Sequence, residues 1–232
     1  MAAPDLSVVV PAYNEEAFIG QLLPRIQALD LAVLGLTMEI IVVDDGSVDQ
    51  TAQIVRDIEG IHLQVQAENQ GKGAAVRAGI QIAAGRFIMI QDADLEYDPS
   101  DYLPMLSRLL QGDVDAVYGS RYLASGRHPA QGRLAYFGGR GLSLAAWVTT
   151  GRWLTDTVTA LKLFKREAIA DFDLVTRGFE LDHELTCKLL ARDRVIAEVP
   201  ISYSPRSREE GKKIGFRDFL IALRTYLRYR RA

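Results

Sequence analysis

Short apolar runs alternate with helical patterns through the first half of the chain, and this alternation is the strongest constraint on its fold. The first run, Leu6–Pro11, is short and apolar, as in a strand buried on both faces. Five runs are predicted as strands: Leu6–Pro11, Glu39–Val43, Ile61–Val65, Arg86–Ile90 and Val114–Tyr118. The helical patterns between them are Glu15–Leu29, Asp49–Ile58, Gly71–Ala84 and Asp101–Leu110. Alternating strands and helices predict an α/β fold with a mostly parallel, doubly wound sheet.

The second half of the chain contains both element types in a less regular order. Its predicted helices are Leu134–Thr150, Glu180–Ala191 and the amphipathic segment Phe216–Arg230. Its predicted strands are Leu161–Phe164 and Val195–Tyr203, and its polar loops are Leu123–Arg133 and Ser204–Lys213. With 232 residues, of which 48% are hydrophobic, the chain has the size and composition of one folded domain.

The charge of the chain is unevenly distributed. The formal net charge is only −3, which does not indicate nucleic-acid binding. From Arg206 to Arg231, however, there are nine Lys or Arg residues and three Asp or Glu residues. A basic segment on an otherwise acidic chain favours an anionic surface or an anionic substrate near that segment.

The sequence also predicts a cellular location. No basic segment precedes an apolar stretch at the N-terminus, and no run of about 18 apolar residues occurs, so we predict a cytoplasmic protein without a membrane span. Cys187 is the single cysteine, so no intramolecular disulfide is possible. Its apolar helical neighbours predict a packed thiol.

Acidic residues follow the fourth predicted strand. Asp92 and Asp94 point the same way in an extended segment, and Glu96 adds a third carboxylate. Hard oxygen donors of this kind bind Mg²⁺ or Mn²⁺, which would neutralise a leaving diphosphate. In the alternative interpretation, Asp94 caps a turn and Asp92 is only solvated.

A second acidic pair, Asp44 and Asp45, follows the second predicted strand. A carboxylate at this position can accept hydrogen bonds from a ribose or a base, and the alternative is a turn or a helix cap. No GxGxxG follows the first strand, which argues against a nicotinamide or flavin Rossmann enzyme. The segment Asn69–Gly73 lacks Walker spacing and either clamps a diphosphate or turns the chain.

Basic residues collect in or beside the loops of the second half. They are Arg121, Arg133, Arg140, Lys165, Arg206, Arg208, Lys212 and Lys213. A loop that carries Arg and Lys beside Gly211 can fold over a phosphate, because the guanidinium offers a bidentate fork.

Several motifs together resemble the GT-A family 2 glycosyltransferases. In the first half these are VVVPAYNEE (8–16), EIIVVDDGSVDQT (39–51), NQGKGAAVRAG (69–79), QDADLEYDP (91–99) and YGSRY (118–122). In the second half, LTDTVTALKLFKREA (154–168), GFELDHEL (178–185) and EVPISYSPRSREEGKKI (198–214) resemble the dolichyl-phosphate mannose synthase branch and the related polyprenyl-phosphate glucosyltransferases. The resemblance runs from about Leu6 to Arg230.

The resemblance implies a GT-A fold in a single domain 1–232, with a nucleotide-sugar half to about residue 120 and an acceptor half after it. The implied nucleotide contacts are Pro11, Tyr13, Glu15, Val43 and Asp45. The diphosphate would lie against Asp92, Ala93 and Asp94, and Asp92, Asp94 and Glu96 would be the ligands of Mn²⁺ or Mg²⁺. The implied contacts to the sugar diphosphate or the acceptor phosphate are Arg121, Lys165, Arg206 and Lys212. Arg133 and Arg140 are further acceptor candidates.

The resemblance also implies an activity. We expect inverting, metal-dependent transfer of a hexose to a polyprenyl or dolichyl phosphate, with Asp92, Asp94, Arg121 and Arg206 as the catalytic set. GDP-mannose is the favoured donor, and UDP-glucose is the alternative. A family 2 enzyme with a saccharide acceptor would need a general base, for which Asp156 or Glu180 would serve. The alternative of another class is a non-catalytic nucleotide-binding module. The expected partners include the membrane surface, to which the Phe216 helix would bind peripherally, or a membrane protein, but no nucleic acid.

Overall fold

The computed structural model describes residues 3–123, 132–205 and 216–229. Within them, seven strands form one sheet in the order β3-β2-β1-β4-β6-β5-β7. The strands are β1 Leu6–Ala12, β2 Met38–Asp44, β3 Ile61–Val65, β4 Phe87–Ile90, β5 Ala116–Ser120, β6 Lys162–Lys165 and β7 Ile196–Pro200. The helices are α1 Ile19–Gln27, α2 Thr51–Arg56, α3 Lys72–Ile82, α4 Tyr102–Leu110, α5 Arg133–Thr150, α6 Arg166–Ile169, α7 Leu181–Ala191 and α8 Phe216–Tyr229. Short 3₁₀ helices span Leu31–Leu34 and Pro99–Asp101.

The sheet is mostly parallel, which confirms the predicted α/β class. β1 runs parallel to β2 and β4, β2 to β3, and β5 to β7. β6 runs antiparallel to both of its neighbours, β4 and β5. Its first residue, Lys162, is therefore opposite Ile90 at the end of β4, whereas its last residue, Lys165, is opposite Phe87 at the start.

Burial on both faces of the sheet explains why the central predicted strands are nearly continuous apolar runs. On β1, Val8 and Val10 belong to a core cluster that includes residues of α1 and α4. Val9, between them, belongs to a second cluster that includes residues of α3 and α7. Each apolar square ångström buried contributes roughly 25 cal/mol, so a strand with apolar residues on both faces stabilises both layers.

A third and smaller cluster joins α5, α7 and α8. It contains Leu142 and Ala146 from α5, Cys187 from α7, and Ala222 and Tyr226 from α8. Cys187 is fully buried, and this burial raises the pKa of its thiol to about 12. The predicted packed thiol is therefore confirmed.

Several element boundaries differ from the sequence prediction for local reasons. β7 ends at Pro200, before the predicted Tyr203, which forms an isolated antiparallel bridge with Tyr97 instead. The helix α6 is too short to show a period in the sequence and was not predicted. The predicted loops Leu123–Arg133 and Ser204–Lys213 lie mostly outside the described residues. Of the helices that the structure describes, none combines the length and apolar character needed to span a bilayer.

Candidate active site

The polar segments that follow β1, β2 and β4 meet at one edge of the sheet. In the parallel register, Ala12 is opposite Asp44, and Val9 is opposite Ile90. The backbone N–H of Asn14 donates to the Ser47 hydroxyl at 2.9 Å, which ties the segment after β1 to the segment after β2. The carboxyl edge of a parallel sheet is where such folds bind ligands.

Asp44 and Asp45 have different surroundings, although the sequence places them together. Both oxygens of Asp45 accept backbone hydrogen bonds, from Gln70 N at 2.9 Å and Gly71 N at 2.8 Å. Asp44 accepts from Ser47 N at 3.2 Å through Oδ2, whereas its buried Oδ1 has no hydrogen-bond partner among the described residues. A buried acceptor without a partner costs about 1–3 kcal/mol, which a ligand donor would recover. Asp44 therefore offers an open acceptor, and Asp45 orders the 69–73 segment.

The other residues implied as nucleotide contacts lie at the same edge. Pro11 and Val43 are opposite each other in the β1–β2 register, and both are buried. Tyr13 is half-buried, and Glu15 is 7% exposed with its backbone N–H bonded to the Thr51 hydroxyl at 2.8 Å. Their contact with a nucleotide stays a prediction.

The segment after β4 forms a tight turn around Asp94. Asp94 is 9% exposed, and its Oδ1 accepts from Glu96 N at 3.2 Å across Leu95, which has a φ of 52°. Ala93 is buried, and the Glu96 carboxylate accepts from the Tyr203 hydroxyl at 3.3 Å. Asp94 therefore does cap a turn, as in the alternative interpretation, and it still presents a carboxylate at the sheet edge.

Asp92 belongs to a chain of alternating charges. Lys72 Nζ lies 2.6 Å from Asp92 Oδ1 and 3.6 Å from Asp182 Oδ2. Lys162 Nζ lies 2.8 Å from Asp182 Oδ1, and this ammonium is fully buried. In the order Asp92, Lys72, Asp182, Lys162, each charge has at least one neighbour of opposite sign, as buried charges require.

These contacts set the protonation states of Asp182 and Lys72. Burial alone would raise the pKa of Asp182, but Lys162 and Lys72 outweigh it, so the pKa of this carboxyl is lowered. Burial alone would lower the pKa of Lys72, but Asp92 and Asp182 outweigh it and raise that pKa. Asp182 is therefore a carboxylate at neutral pH and a poor proton acceptor.

Lys72, Asp182 and Lys162 were not predicted as site residues from the sequence. The available signals were the Gly71-Lys72-Gly73 segment and the GFELDHEL motif, in which Asp182 lies beside His183. Lys162 stands in an apolar strand, where a fully buried lysine is rare unless it is paired. A lysine in an apolar strand was therefore the sequence signal for Lys162.

Arg121 is held between aromatic rings by a buried ion pair. Its Nε and one terminal nitrogen lie 2.6 Å and 2.7 Å from the two oxygens of Asp156, which is fully buried. Its guanidinium lies 5.5 Å from the Tyr122 ring centroid and 5.2 Å from that of Tyr203. Burial opposes the charged form, but Asp156 outweighs it and raises the pKa of Arg121 further. Two of the Arg121 nitrogens are therefore occupied.

The other basic residues predicted for the site are placed differently from one another. Arg140 of α5 donates to the Thr155 carbonyl at 2.8 Å, beside Asp156, whereas Arg133 is exposed at the start of α5. Lys165 lies at the amino edge of β4 and donates to the Gly112 carbonyl at 3.2 Å, away from the carboxyl edge. This placement contradicts the predicted contact of Lys165 with the sugar diphosphate. Arg206 and Lys212 lie outside the described residues.

His183 gives the protein a pH-dependent stability. Its Nδ1 lies 2.8 Å from the Tyr226 hydroxyl, and burial lowers the pKa of the imidazole to about 4. The pKa of this imidazole in the unfolded chain is about 6.5, so the folded state keeps its full stability above that pH. As the pH falls from 6.5 towards 4, the unfolded chain takes up a proton that buried His183 does not, and the folded state becomes less stable. We expect the free energy of unfolding to fall by about 3 kcal/mol over this pH range, as measured by urea unfolding.

The matched variants for this prediction are His183→Gln and His62→Gln. The first removes the titrating group, so its unfolding free energy should fall less steeply between pH 7 and pH 4. The second replaces a side chain that is 67% exposed and should follow the wild type. Parallel pH curves for His183→Gln and the wild type would contradict the prediction.

Comparison with known families agrees with this site. A sequence model of Glycosyl transferase family 2 matches residues 7–172, which contain all three polar segments at the sheet edge. The chain belongs to glycosyl transferase family 2. The family that the sequence motifs resemble is thereby confirmed.

Two characterised relatives of this family 2 chain come from archaea. The dolichol-phosphate mannosyltransferase of Pyrococcus furiosus is 29% identical over 216 residues, covering 90% of this chain and 59% of that protein. The low-salt glycan biosynthesis hexosyltransferase Agl6 of Haloferax volcanii is 30% identical over 212 residues, covering 89% of this chain and 49% of that protein. The chain thus spans about half the length of the latter and less than two-thirds of the former.

Solved structures show the same fold. Glucosyl-3-phosphoglycerate synthase from Mycobacterium tuberculosis, in complex with UDP, has a TM-score of 0.76 at 22% identity, covering 98% of this chain and 80% of that chain. The same enzyme has been crystallised with Mn²⁺, UDP and phosphoglyceric acid. Mannosyl-3-phosphoglycerate synthase from Rubrobacter xylanophilus has a TM-score of 0.73 at 19% identity, covering 97% and 72% of the two chains. The GT-A fold is therefore confirmed.

Proposed function

We propose that this family 2 chain transfers a hexose from a nucleotide sugar to the phosphate of a polyprenyl or dolichyl phosphate. Two similarities support this: the mannosyltransferase of Pyrococcus furiosus is named for a dolichol-phosphate substrate, and the Haloferax volcanii relative is named a hexosyltransferase. The first also favours mannose, hence GDP-mannose as the donor. UDP-glucose is the second candidate, because UDP is bound by a structural neighbour.

The pairing of the site carboxylates is the observation that carries the proposal. Asp92 is paired with Lys72, Asp182 with Lys72 and Lys162, and Asp156 with Arg121. Glu180, the other predicted base, accepts from Gly178 N at 3.2 Å. A hydroxyl acceptor requires a base to remove its proton, whereas a lipid monophosphate is already anionic near neutral pH. Asp92, Asp182 and Asp156, which are paired with cations, suit the second kind of acceptor.

The proposed reaction is a direct displacement. A phosphate oxygen of the lipid forms a bond to the anomeric carbon, and the bond from that carbon to the diphosphate breaks with inversion. The nucleoside diphosphate leaves with the electron pair of the broken bond. No proton has to move, so the protein positions the two substrates and stabilises the charge on the leaving group.

A divalent metal fits the carboxylates after β4. Asp94 and Glu96 supply hard oxygen donors of the type that Mn²⁺ and Mg²⁺ prefer. The described residues contain no group of three acidic, His or Cys side chains arranged for a metal, and Asp92 is held by Lys72. We therefore assign Asp94 and Glu96 as the protein ligands. When bound, the metal would neutralise charge on the leaving diphosphate.

The acceptor phosphate is assigned to the basic residues of the second half. Ser204 N donates to the Glu96 carbonyl at 2.9 Å, so the chain just before Arg206 lies beside the proposed metal ligands. We assign Arg206, Lys212 and Arg140 to the acceptor side. Arg121 acts through its ion pair with Asp156, as a positioning residue.

The test is transfer of radiolabelled sugar in detergent with Mn²⁺. GDP-mannose and UDP-glucose are tested separately, each with a short polyprenyl phosphate and with the polyprenol of the same length. We expect labelled lipid from one donor with the phosphate and none with the polyprenol, because the alcohol lacks an anionic nucleophile.

Two outcomes would contradict the proposal. Transfer to the polyprenol or to a saccharide, but not to the lipid phosphate, would indicate a hydroxyl acceptor and an unrecognised base. Binding of the nucleotide sugar without transfer or hydrolysis, in the presence of metal and every acceptor, would indicate the non-catalytic module. Arg206→Ala is expected to raise the acceptor KM, with Arg25→Ala on the exposed side of α1 as the matched control.

A further inference from the structure

The outer sides of α5 and α8 expose an unusual share of apolar side chains. Half of the large apolar residues exposed in the described part of the chain lie here, five between residues 137 and 153 and three between 220 and 227. On α5 they are Phe137, Leu144, Trp147 and Val148, which are between 46% and 71% exposed. Trp153 follows the helix and contacts Trp147, with ring centroids 6.2 Å apart. A surface this apolar in a folded domain indicates an interaction site.

The outer side of α8 continues this surface. Leu220 and Leu227 are 51% and 58% exposed and lie seven residues apart, on the same side of the helix as Arg217 and Arg224. The opposite sides of α5 and α8 pack into one cluster, and a Cβ on Gly141 of α5 would lie 3.7 Å from the Phe219 ring. The exposed apolar side chains of α5 and α8 therefore lie on the sides of the two helices that face away from their shared cluster.

This combined surface, here called the α5–α8 face, consists of Phe137, Leu144, Trp147, Val148, Trp153, Leu220, Ile221 and Leu227, with Arg217, Arg224 and Arg228. Its charge has one sign in the described residues. α5 contains no acidic residue, and the one acidic residue of α8, Asp218, is half-buried. Each exposed charged side chain on the two helices is an arginine.

We propose that the α5–α8 face docks on the surface of an anionic lipid bilayer. Aromatic and leucine side chains enter the interface between headgroups and acyl chains, while arginines at the same level attract anionic headgroups. A second copy of the chain fits less well, because a two-fold contact between two such faces would offer their arginines no exposed acidic partner on either helix. The binding itself does not depend on the proposed function.

The position of the face gives it a role in that function. Arg140 of α5 donates to the Thr155 carbonyl beside Asp156, and Tyr226 of α8 hydrogen-bonds with His183 beside Asp182. The helices that carry the face therefore also contact residues adjoining the site. A polyprenyl phosphate is held in the leaflet by its chain, so docking by this face would bring the site to the level of its phosphate. This last step rests on the proposed function.

The two tryptophans give a direct test, because the chain has only two and both lie on the face. The full chain is mixed with vesicles of phosphatidylcholine alone, or with 30% phosphatidylglycerol, without nucleotide sugar or polyprenyl phosphate. We expect a blue shift of tryptophan emission, quenching by brominated acyl chains, and co-sedimentation with the anionic vesicles only. Unchanged emission and no co-sedimentation would overturn the proposal.

Two pairs of variants separate the contributions. Leu220→Gln with Leu227→Gln is compared with Val33→Gln and Ile82→Gln, which are 66% and 50% exposed elsewhere. Arg217→Gln with Arg224→Gln is compared with Arg25→Gln and Arg56→Gln on exposed positions of α1 and α2. Each face pair should weaken vesicle affinity at least about 10-fold, and each control pair less than about 2-fold. Equal effects of face and control pairs would overturn the assignment.

Two further outcomes identify what binds to the α5–α8 face. Concentration-dependent dimerisation that is lost in Leu220→Gln with Leu227→Gln, without vesicle binding, would assign the face to a second copy and overturn the proposal. Vesicle binding by a protein that transfers no sugar to polyprenyl phosphate in detergent would retain the docking face and contradict only the proposed acceptor.

Discussion

Asp156→Ala is expected to lower the free energy of unfolding by about 3–5 kcal/mol, because it leaves Arg121 as a buried charge without a partner. The Arg121 side chain is 10% exposed, and Asp156 also accepts a hydrogen bond from the Arg121 backbone N–H at 3.1 Å. The neighbouring Tyr122 and Tyr203 side chains are uncharged, so neither neutralises the released guanidinium. Urea unfolding at pH 7 measures the change.

An exposed ion pair of the same types provides the control for Asp156. Asp171 lies 3.3 Å from Arg192, but its side chain is 62% exposed, so Asp171→Ala should change stability by less than about 1 kcal/mol. Arg121→Met combined with Asp156→Leu should be less destabilised than Asp156→Ala alone, because no buried charge is left. A loss for Asp156→Ala as small as that for Asp171→Ala would contradict the buried-pair argument.

The central strands were predictable because they are buried on both faces. A run such as Leu6–Pro11 is apolar at every position except Ser7, and such a short run is typical of a strand covered by helices on both sides. The site edge was predictable for a related reason, since parallel strands end together and Asp45 and Asp94 both follow strand ends. Neither the strand prediction nor the prediction of the site edge requires knowledge of side-chain contacts.

The choice of lysine on β6 was wrong for a topological reason. The sequence shows Lys162 and Lys165 three residues apart in one apolar strand, and the resemblance implied the second. β6 runs antiparallel, so its first residue lies at the carboxyl edge of β4 and its last residue at the amino edge. Strand direction depends on long-range pairing, which the local pattern does not contain.

The charge pairs at the site were not predictable from local patterns either. Lys72 and Asp182 are 110 residues apart in the chain and meet only because α3 and α7 cover the same face of the sheet. The pairing reverses one sequence inference: Asp156, which looked available as a base, is occupied by Arg121. Asp92, counted with Asp94 as a metal ligand from its spacing, is instead 2.6 Å from Lys72.

Asp94 is a proposed metal ligand, whereas Asp92 is paired with Lys72, and this difference leads to the largest expected effect on activity. Asp94→Ala should lower sugar transfer by at least about 10²–10³-fold, since removing one group that stabilises transition-state charge has effects of this size. Asp92→Ala should lower transfer less, because Lys72 keeps Asp182 as a partner. The assay is transfer at saturating donor, with Mn²⁺ affinity in the presence of the nucleotide measured separately by calorimetry.

Metal affinity separates the two aspartates more sharply than activity does. Asp94→Ala should weaken Mn²⁺ binding about 10-fold or more, whereas Asp92→Ala should leave it within about 3-fold of the wild type, because Asp92 is engaged by Lys72 rather than by the metal. Asp113→Ala, at an exposed pair with Arg108, controls for loss of a carboxylate elsewhere. Equal weakening by Asp92→Ala and Asp94→Ala would mean that Lys72 releases Asp92 when the nucleotide binds, and that both aspartates hold the metal.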